Sequence, residues 1–206
     1  MTKILIDTAN ISEIEKHLDI ISGITTNPKL LRQENDINLD KLSQFVNSLD
    51  QKLLLFYQVN SEEDFINAKK INNSSAKVII KIPMIPKMYH LFKRNTPYRI
   101  CSTMVYDLVQ LNQARLFAAD YSIIIFAKNE DENFLQKAIE YRNNLAIKLK
   151  LVVGSVRTKN DVEKAIRLGA DFITIPPKVL NLAYNNLQAE AEYEEAYGQN
   201  GFNHTS

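Results

Sequence analysis

Short apolar runs alternate with longer segments of helical periodicity along the chain. The runs are rich in isoleucine, valine and leucine, and polar or turn-forming residues follow them. Eight strands are predicted in this way, at residues 4–7, 23–26, 53–59, 78–82, 99–105, 122–126, 151–156 and 172–175. Because helices separate these strands, parallel pairing is expected. Strands that are apolar throughout indicate a sheet covered on both faces.

About eight strand–helix units in 206 residues favour an α/β fold, a single (β/α)8 TIM barrel. A doubly wound open sheet is the alternative, but it would carry a glycine-rich turn after the first strand. Residues 7–10, Asp-Thr-Ala-Asn, contain no glycine. No linker-like stretch divides the chain. Residues 1–206 are therefore predicted to form one domain, with a C-terminal helical extension over about 181–206 and a polar tail at 198–206.

Capping residues indicate where several helices begin and end. Asn10, Ser61 and Asp107 are predicted to cap the helices that follow the first, third and fifth strands. Asn160–Asp161 is predicted to open the helix after the seventh strand, and Gly169 is predicted to end it.

Composition excludes several classes of partner. The chain has 25 basic and 24 acidic residues, so no basic surplus points to nucleic acid. No apolar run approaches the roughly 18 residues of a membrane helix, and no signal peptide is evident, so we expect a cytoplasmic protein with no membrane partner. The single cysteine, Cys101, excludes an internal disulfide and is expected to be a buried small hydrophobe. No histidine pair has ligand spacing, and no metal is expected.

Lys81 is the residue that most directly suggests chemistry. It lies inside the apolar run Val-Ile-Ile-Lys-Ile-Pro at residues 78–83. An ammonium group is costly to bury, so the pKa of Lys81 should lie below that of a surface lysine. A neutral amine can attack a carbonyl and form a Schiff base. The ordinary alternative is a strand-end lysine that extends its ammonium group to water.

Polar residues at the ends of the other predicted strands strengthen the catalytic interpretation, since these ends converge on one mouth of a barrel. They are Asp7, Thr25, Thr26, Asn27, Gln58, Thr103, Lys128, Ser155 and Arg157. Asp7 and Asn27 could hold sugar hydroxyls, and Asp7 could also transfer a proton. Gln58 and Thr103 could hold a water beside Lys81. Each residue alone has a structural alternative: Asp7 could merely cap the next helix.

Ser155 and Arg157 form the predicted phosphate clamp. They are two residues apart in a predicted strand, so their side chains should point the same way. The triplet is weak support by itself, because such Ser-x-Arg sequences are common.

Five motifs in order resemble the small transaldolase and fructose-6-phosphate aldolase family. They are Asp-Thr-Ala-Asn at 7–10, Gly-Ile-Thr-Thr-Asn-Pro at 23–28, Ile-Lys-Ile-Pro-Met at 80–84, Ser-Val-Arg at 155–157, and Gly-Ala-Asp at 169–171 followed by Thr-Ile-Pro-Pro-Lys-Val-Leu at 174–180. The resemblance covers about residues 3–187. The lysine motif and the Thr-Thr-Asn-Pro motif are fairly specific together.

The resemblance implies class I aldol chemistry on sugar phosphates, with no cofactor or metal. Lys81 matches the Schiff-base lysine, and Asp7 and Asn27 match residues that handle substrate hydroxyls. Thr103 matches the threonine that holds the catalytic water. Ser155 and Arg157 match the phosphate site. Members of the small branch form ring-shaped homo-oligomers, often decamers, through the C-terminal helix; residues 194–198 with Phe202 could be the end of that helix.

Some positions depart from the family pattern. Gln58 stands where transaldolases carry glutamate, as in the aldolase branch, and glutamine cannot take a proton. The tyrosine of the aldolase branch on strand six is replaced by Ile125 or Phe126. Tyr106 is predicted to alternate away from the mouth and so not to substitute for it. The following arginine is replaced by Lys128, a weaker planar clamp. The threonine usually found after the lysine motif is Ile85.

The predicted function is a Schiff-base transaldolase that moves a dihydroxyacetone unit between sugar phosphates. Two alternatives stay within the family: a fructose-6-phosphate aldolase-like lyase, and a sugar-phosphate-binding relative with weakened catalysis. A third alternative is another phosphate-handling barrel enzyme in which Lys81 is only structural.

Overall fold

Eight parallel strands close into a barrel in the computed structural model of the chain, which describes residues 1–75, 78–92, 98–131 and 133–197. Each strand pairs with the next along the chain, and the last pairs with the first. The strands are Lys3–Asp7 (β1), Gly23–Thr25 (β2), Leu54–Gln58 (β3), Val78–Pro83 (β4), Ile100–Val105 (β5), Tyr121–Ile125 (β6), Lys150–Gly154 (β7) and Phe172–Ile175 (β8). The predicted barrel is confirmed, and the predicted tail at 198–206, with Phe202, lies outside the described residues.

Helices connect the strands on the outside of the barrel. They are Ile11–Glu15 (α1), Pro28–Gln33 (α2), Leu39–Ser48 (α3), Glu62–Ser75 (α4), Tyr89–Phe92 (α5), Leu108–Leu116 (α6), Phe134–Asn144 (α7), Lys159–Leu168 (α8), Pro177–Tyr184 (α9) and Leu187–Tyr197 (α10), with a short 3-10 turn at Pro86–Met88. Within the described part of the chain, no helix is long and apolar enough to span a membrane.

Most predicted capping residues are confirmed. The side chains of Asn10 and Asp107 accept hydrogen bonds from the first turns of α1 and α6. Gly169 ends α8 with a left-handed φ of 84°. The prediction for the start of α8 is wrong by two residues. Thr158 is the cap, and Asp161 returns a hydrogen bond to it because the two form a capping box.

Three aromatic rings fill the lower half of the barrel. Phe56, Tyr121 and Phe172 meet edge to face, with ring centroids 5.1 to 6.4 Å apart. They belong to an interior cluster that also contains Leu5 and Ile79. These three rings, called the aromatic floor below, fill the inside of the barrel, so the interior is a packed core at this level.

The interior becomes polar two residues further along the strands. Because side chains alternate, the residue two positions after an inward apolar residue also points inward. In this way Leu5 is followed by Asp7, and Ile79 is followed by Lys81. The same step leads from Phe172 to Thr174. The sequence therefore places a ring of polar groups directly above the aromatic floor, at the mouth of the barrel.

Two strands depart from their predictions in ways that affect the site. β7 ends at Gly154, two residues before its predicted end, and Ser155 adopts a left-handed φ of 63°. The pairing of β5 with β6 shifts register between Ser102 and Val105, where Met104 has a φ of 62°. This shift is a β-bulge, which adds one residue to a strand and changes which face the following residues take.

The C-terminal helices differ in how they meet the barrel. α9 buries Val179 and Leu180, and Asn181 of α9 is hydrogen-bonded to His17 at 2.6 Å. Every side chain described in α10 is exposed, including those of Leu187 and Tyr193. The barrel therefore holds α9 but does not cover α10.

Candidate active site

Lys81 lies inside the barrel at the mouth. It is only 4% exposed, and its Nζ donates a hydrogen bond of 2.7 Å to the main-chain oxygen of Thr26. The hydrogen bond crosses from β4 to the residue after β2. The amine does not extend into bulk water, so the alternative of a solvated strand-end lysine is wrong.

Burial lowers the pKa of Lys81 below its ordinary value. Desolvation is the largest cause, and the negative charge of Asp7 opposes it. Cys101 pairs with Lys81 across the strands and is fully buried. Desolvation raises the pKa of its thiol to about 12, so Cys101 stays neutral and acts as the small hydrophobe that the sequence predicts. Asp7 is therefore the group whose negative charge favours the protonated Lys81 amine, against the effect of desolvation.

A chain of hydrogen bonds supports Asp7. Thr25 Oγ1 donates to Asp7 Oδ1 at 2.7 Å, and Thr25 Oγ1 is also hydrogen-bonded to Thr174 Oγ1. Since the single hydroxyl proton of Thr25 goes to Asp7, Thr174 is the donor to Thr25. Burial raises the pKa of Asp7, while Lys81 and the Thr25 hydrogen bond act in the opposite direction. Asp7 does not cap α1, because Asn10 does so.

Thr26 and Asn27 have different surroundings from Thr25. Thr26 is fully buried, and among the described residues its hydroxyl is the one buried side-chain oxygen or nitrogen with no hydrogen-bond partner. Asn27 caps α2, where its side-chain oxygen accepts from the main-chain nitrogens of Lys29 and Leu30. The amide oxygen of Asn27 is therefore occupied, and its NH₂ group is the part available to a substrate hydroxyl.

Gln58 and Thr103 lie on the strands that flank Lys81. Gln58 pairs with Lys81 in register, and its amide donates to Asn60 at 3.3 Å. Thr103 pairs with Pro83 and is 4% exposed. Gln58 and Pro83 line a small cavity of about 150 Å³ at the mouth. Space for a small molecule thus exists beside the strand that carries the lysine.

Ser155, Arg157 and Lys128 lie on loops at the rim. The prediction that Ser155 and Arg157 share a strand is wrong, because β7 ends at Gly154. Arg157 is held instead through its main-chain nitrogen, which donates to Asp161 at 3.0 Å. The side chains of Arg157 and Lys128 are exposed. These two cations follow the adjacent strands β6 and β7 and so lie on one side of the mouth.

The bulge in β5 bears on the argument made from alternation about Tyr106. Val105, the residue before it, is fully buried in the core that the strands share with the surrounding helices, and it pairs with Ile124 of that same core. Tyr106 follows the end of β5 and is 37% exposed, so the direction of its side chain stays a prediction. Ile125, one of the two residues predicted to stand in place of the family's tyrosine, packs against the interior cluster.

Sequence reasoning gave no role to Thr174, although it is the residue that completes the hydrogen-bond chain to Asp7. Its position at the end of β8 was the available signal. Together, the buried amine, the supported carboxylate and the rim cations can form an imine with a carbonyl compound, move a proton, and hold an anionic substituent.

Comparison with known proteins identifies a family that this chain matches. The family described as Transaldolase/Fructose-6-phosphate aldolase matches residues 4–204. A probable transaldolase of Petrotoga mobilis is 27% identical over 194 residues, covering 89% of this chain and 88% of the relative. A probable transaldolase of Clostridium botulinum (strain Hall) is 28% identical over 223 residues, covering 96% and 99%.

Solved structures agree on the fold. A putative fructose-1,6-biphosphate aldolase from Coccidioides immitis superposes with a TM-score of 0.64 at 14% identity, covering 95% of this chain and 80% of that one. A thiamine phosphate pyrophosphorylase from Pyrococcus furiosus gives a TM-score of 0.60 at 15% identity, covering 94% of each chain. At such low identity these likenesses bear on the barrel alone.

Proposed function

The chain belongs to the transaldolase/fructose-6-phosphate aldolase family, and on that premise we propose that it is a Schiff-base enzyme that moves a dihydroxyacetone unit between sugar phosphates. The observation that carries the proposal is the buried amine of Lys81, whose pKa is lowered by its surroundings. A surface lysine is charged at neutral pH and cannot attack a carbonyl.

The first step joins the amine to the substrate. Lys81 Nζ attacks the C2 carbonyl of a ketose phosphate, water leaves, and an iminium forms. The iminium nitrogen keeps one N–H, and the main-chain oxygen of Thr26 is placed to accept it, since it already accepts from the amine at 2.7 Å. This contact would orient the imine toward the mouth.

Asp7 is the proton acceptor for bond cleavage. Electrons of the C3–C4 bond move into the iminium and leave an enamine on Lys81, while the C4 hydroxyl loses its proton to Asp7, directly or through a water. An aldehyde phosphate departs. The enamine then attacks an acceptor aldehyde phosphate, and Asp7 returns the proton to the new hydroxyl. Water hydrolyses the resulting iminium, which releases the product ketose phosphate and frees the Lys81 amine. The hydrogen bond from Thr25 supports the carboxylate form that this step requires.

The rim residues would hold the substrate. Arg157 and Lys128 supply the positive charge for the distal phosphate, and Ser155 lies two residues from Arg157 on the same loop. Asn27 would contact a hydroxyl through its NH₂ group, and Thr103 and Gln58 would hold water beside Lys81. We expect orientation of the sugar by these groups to supply much of the rate.

Two alternatives within the family have specific support. Gln58, which cannot take a proton, favours an aldolase-like lyase that releases the three-carbon ketone. Ile125 or Phe126 at the place of a tyrosine, and Lys128 at the place of an arginine, favour a sugar-phosphate-binding protein with weakened catalysis.

Reductive trapping tests the central step. The protein is incubated with fructose 6-phosphate and borohydride, and peptides are analysed by mass. We expect one adduct, on Lys81, and none in Lys81→Met. Lys87→Met is the matched control, because Lys87 lines the small cavity at the mouth but is exposed. Absence of an adduct on Lys81 in the native protein would refute the proposal.

Turnover separates the alternatives. Consumption of fructose 6-phosphate only when erythrose 4-phosphate is present identifies a transaldolase, and consumption without it identifies an aldolase. Calorimetric binding of fructose 6-phosphate with neither turnover nor an adduct identifies the binding protein.

We also propose that the protein is a homo-oligomer, a ring with α10 at its interfaces. The exposed apolar side chains of Leu187 and Tyr193 support this, because the barrel of the same chain leaves them uncovered. Light scattering on the full chain and on Leu187→Glu measures the mass. A monomeric native protein would contradict the proposal.

A further inference from the structure

A second cavity opens at the opposite end of the barrel from Lys81. It has a volume of about 430 Å³ and lies between the beginnings of three neighbouring strands. Arg99 immediately precedes β5, Tyr121 begins β6 and Lys150 begins β7. Since all strands are parallel, their beginnings lie at the foot of the barrel, below the aromatic floor. The residues of this foot cavity take no part in the proposed reaction.

The foot cavity is strongly cationic. Arg99, Arg115, Lys148 and Lys150 line it, and Asp120 is the one carboxylate among its described lining residues. Asp120 Oδ2 is engaged by the main-chain nitrogen of Ile100 at 2.8 Å. The chain as a whole has nearly equal numbers of basic and acidic residues, 25 and 24. Four cations around one carboxylate are therefore a local concentration of positive charge, which attracts anions.

Neighbouring groups fix the two guanidinium groups. Arg99 Nη1 donates to the Tyr121 hydroxyl at 3.3 Å. Arg115 Nε and Nη2 both donate to Asn112 Oδ1, at 3.3 and 3.2 Å. A guanidinium group has five N–H donors, so donors remain on Arg115 for a ligand after these two bonds. Groups already held in place lose little freedom when they bind.

We propose that the foot cavity binds a small polyanion, a metabolite that carries a diphosphate or two closely spaced phosphates. Its volume is within the usual range of small-molecule sites, roughly 300 to 1,000 Å³. Several converging cations suit a ligand with more than one negative charge better than a single carboxylate. Ala119, Ile147 and Leu149 supply an apolar wall for the uncharged part of such a ligand. The site is separate from the mouth and does not depend on the proposed reaction.

Calorimetric titration of the full chain with inorganic pyrophosphate tests the proposal. The Lys128→Gln/Arg157→Gln variant removes both rim cations from the mouth, so binding that persists in it belongs elsewhere. In that background we expect Arg115→Gln/Lys148→Gln to weaken pyrophosphate binding at least about tenfold, since two charge-assisted contacts are lost. Lys41→Gln/Lys52→Gln is the matched control, because both lysines are exposed and neither lines the foot cavity. It should change the affinity little.

Several results would overturn the inference. One is an unchanged affinity in Arg115→Gln/Lys148→Gln, and another is an equal loss in the control. Complete loss of binding in Lys128→Gln/Arg157→Gln alone would assign the anion to the mouth. Absence of binding by the native protein would mean that these side chains are only a solvated surface. Borohydride trapping at Lys81 is measured on Arg115→Gln/Lys148→Gln with Arg157 and Lys128 intact and should be unaffected, so a failure here is distinct from a failure of the proposed reaction.

Discussion

Replacing Thr174 with valine tests whether the buried hydroxyl chain controls Asp7. Valine keeps the shape but removes the donor to Thr25. Thr174 is 5% exposed and Thr25 is fully buried, so water cannot easily replace the lost partner. Loss of the bond and an unsatisfied Thr25 oxygen cost about 1 to 3 kcal/mol. The added methyl group returns about 0.8 kcal/mol. We expect the free energy of unfolding to fall by about 1 kcal/mol.

The same change should alter the pH dependence of the reaction. Without the donor from Thr174, the Thr25 hydroxyl is a weaker donor to Asp7, and the carboxylate form is less stable. The pKa of Asp7, already raised by burial, should rise further. If Asp7 accepts the C4 proton as a carboxylate, the acid limb of the turnover profile should move to higher pH. Turnover of fructose 6-phosphate measured across the acid range checks this shift.

A matched hydroxyl pair provides the control. Ser102 Oγ donates to Ser122 Oγ at 2.8 Å, and both residues are fully buried, but they lie on the outer side of β5 and β6. Ser122→Ala should also reduce stability, with no shift of the acid limb. If Thr174→Val loses stability and keeps the wild-type acid limb, Thr174 is only structural and the reasoning is refuted.

Three further substitutions test separate features. Lys81→Met should flatten the dependence of the free energy of unfolding on pH above neutral pH. Burial lowers the pKa of Lys81 in the folded state, so the unfolded chain binds more protons than the folded chain up to the unfolded pKa of about 10.4. In that window the free energy of unfolding of the wild-type protein rises with pH. Urea unfolding at several pH values measures this slope, which we expect in the wild-type protein and not in Lys81→Met. Gly23→Ala should destabilise the barrel by about 2 kcal/mol or more in urea, since its Cβ would lie 2.4 Å from the main-chain oxygen of Leu54; a wild-type midpoint would contradict this. Asp161→Ala removes the capping-box partner and the acceptor of the Arg157 nitrogen, so stability should fall by about 1 kcal/mol and KM for the sugar phosphate should rise; an unchanged KM would separate the cap from the phosphate site.

The order of strands could be predicted because each apolar run is short and a polar or turn-forming residue follows it. The same pattern indicated Lys81. The strand residues around it are apolar on both faces of the sheet, so its ammonium group has little access to water. The bulge at Met104 and the left-handed Ser155 could not be predicted. Neither position is a glycine, and tertiary pairing rather than local preference imposes their conformations. The inference that counted alternation past Ser155 therefore failed for Arg157, and the inference made across Met104 for Tyr106 stays a prediction.

The clustering of the foot-cavity cations could not be predicted from the sequence either. Arg99 precedes β5, Arg115 lies in the last turn of α6 and Lys148 follows α7, so nothing along the chain links them. Strand order in a closed barrel brings them together. Local charge patterning detects clusters on one helix or one loop, and this cluster is on neither.

The floor made by Phe56, Tyr121 and Phe172 insulates one end of the barrel from the other. Water entering from the foot would have to pass between interlocked rings to reach the nitrogen of Lys81. The aromatic floor thus keeps the amine in apolar surroundings, on which the lowered pKa of Lys81 depends. Chemistry at the two ends can consequently change independently during evolution, provided that the rings stay in contact.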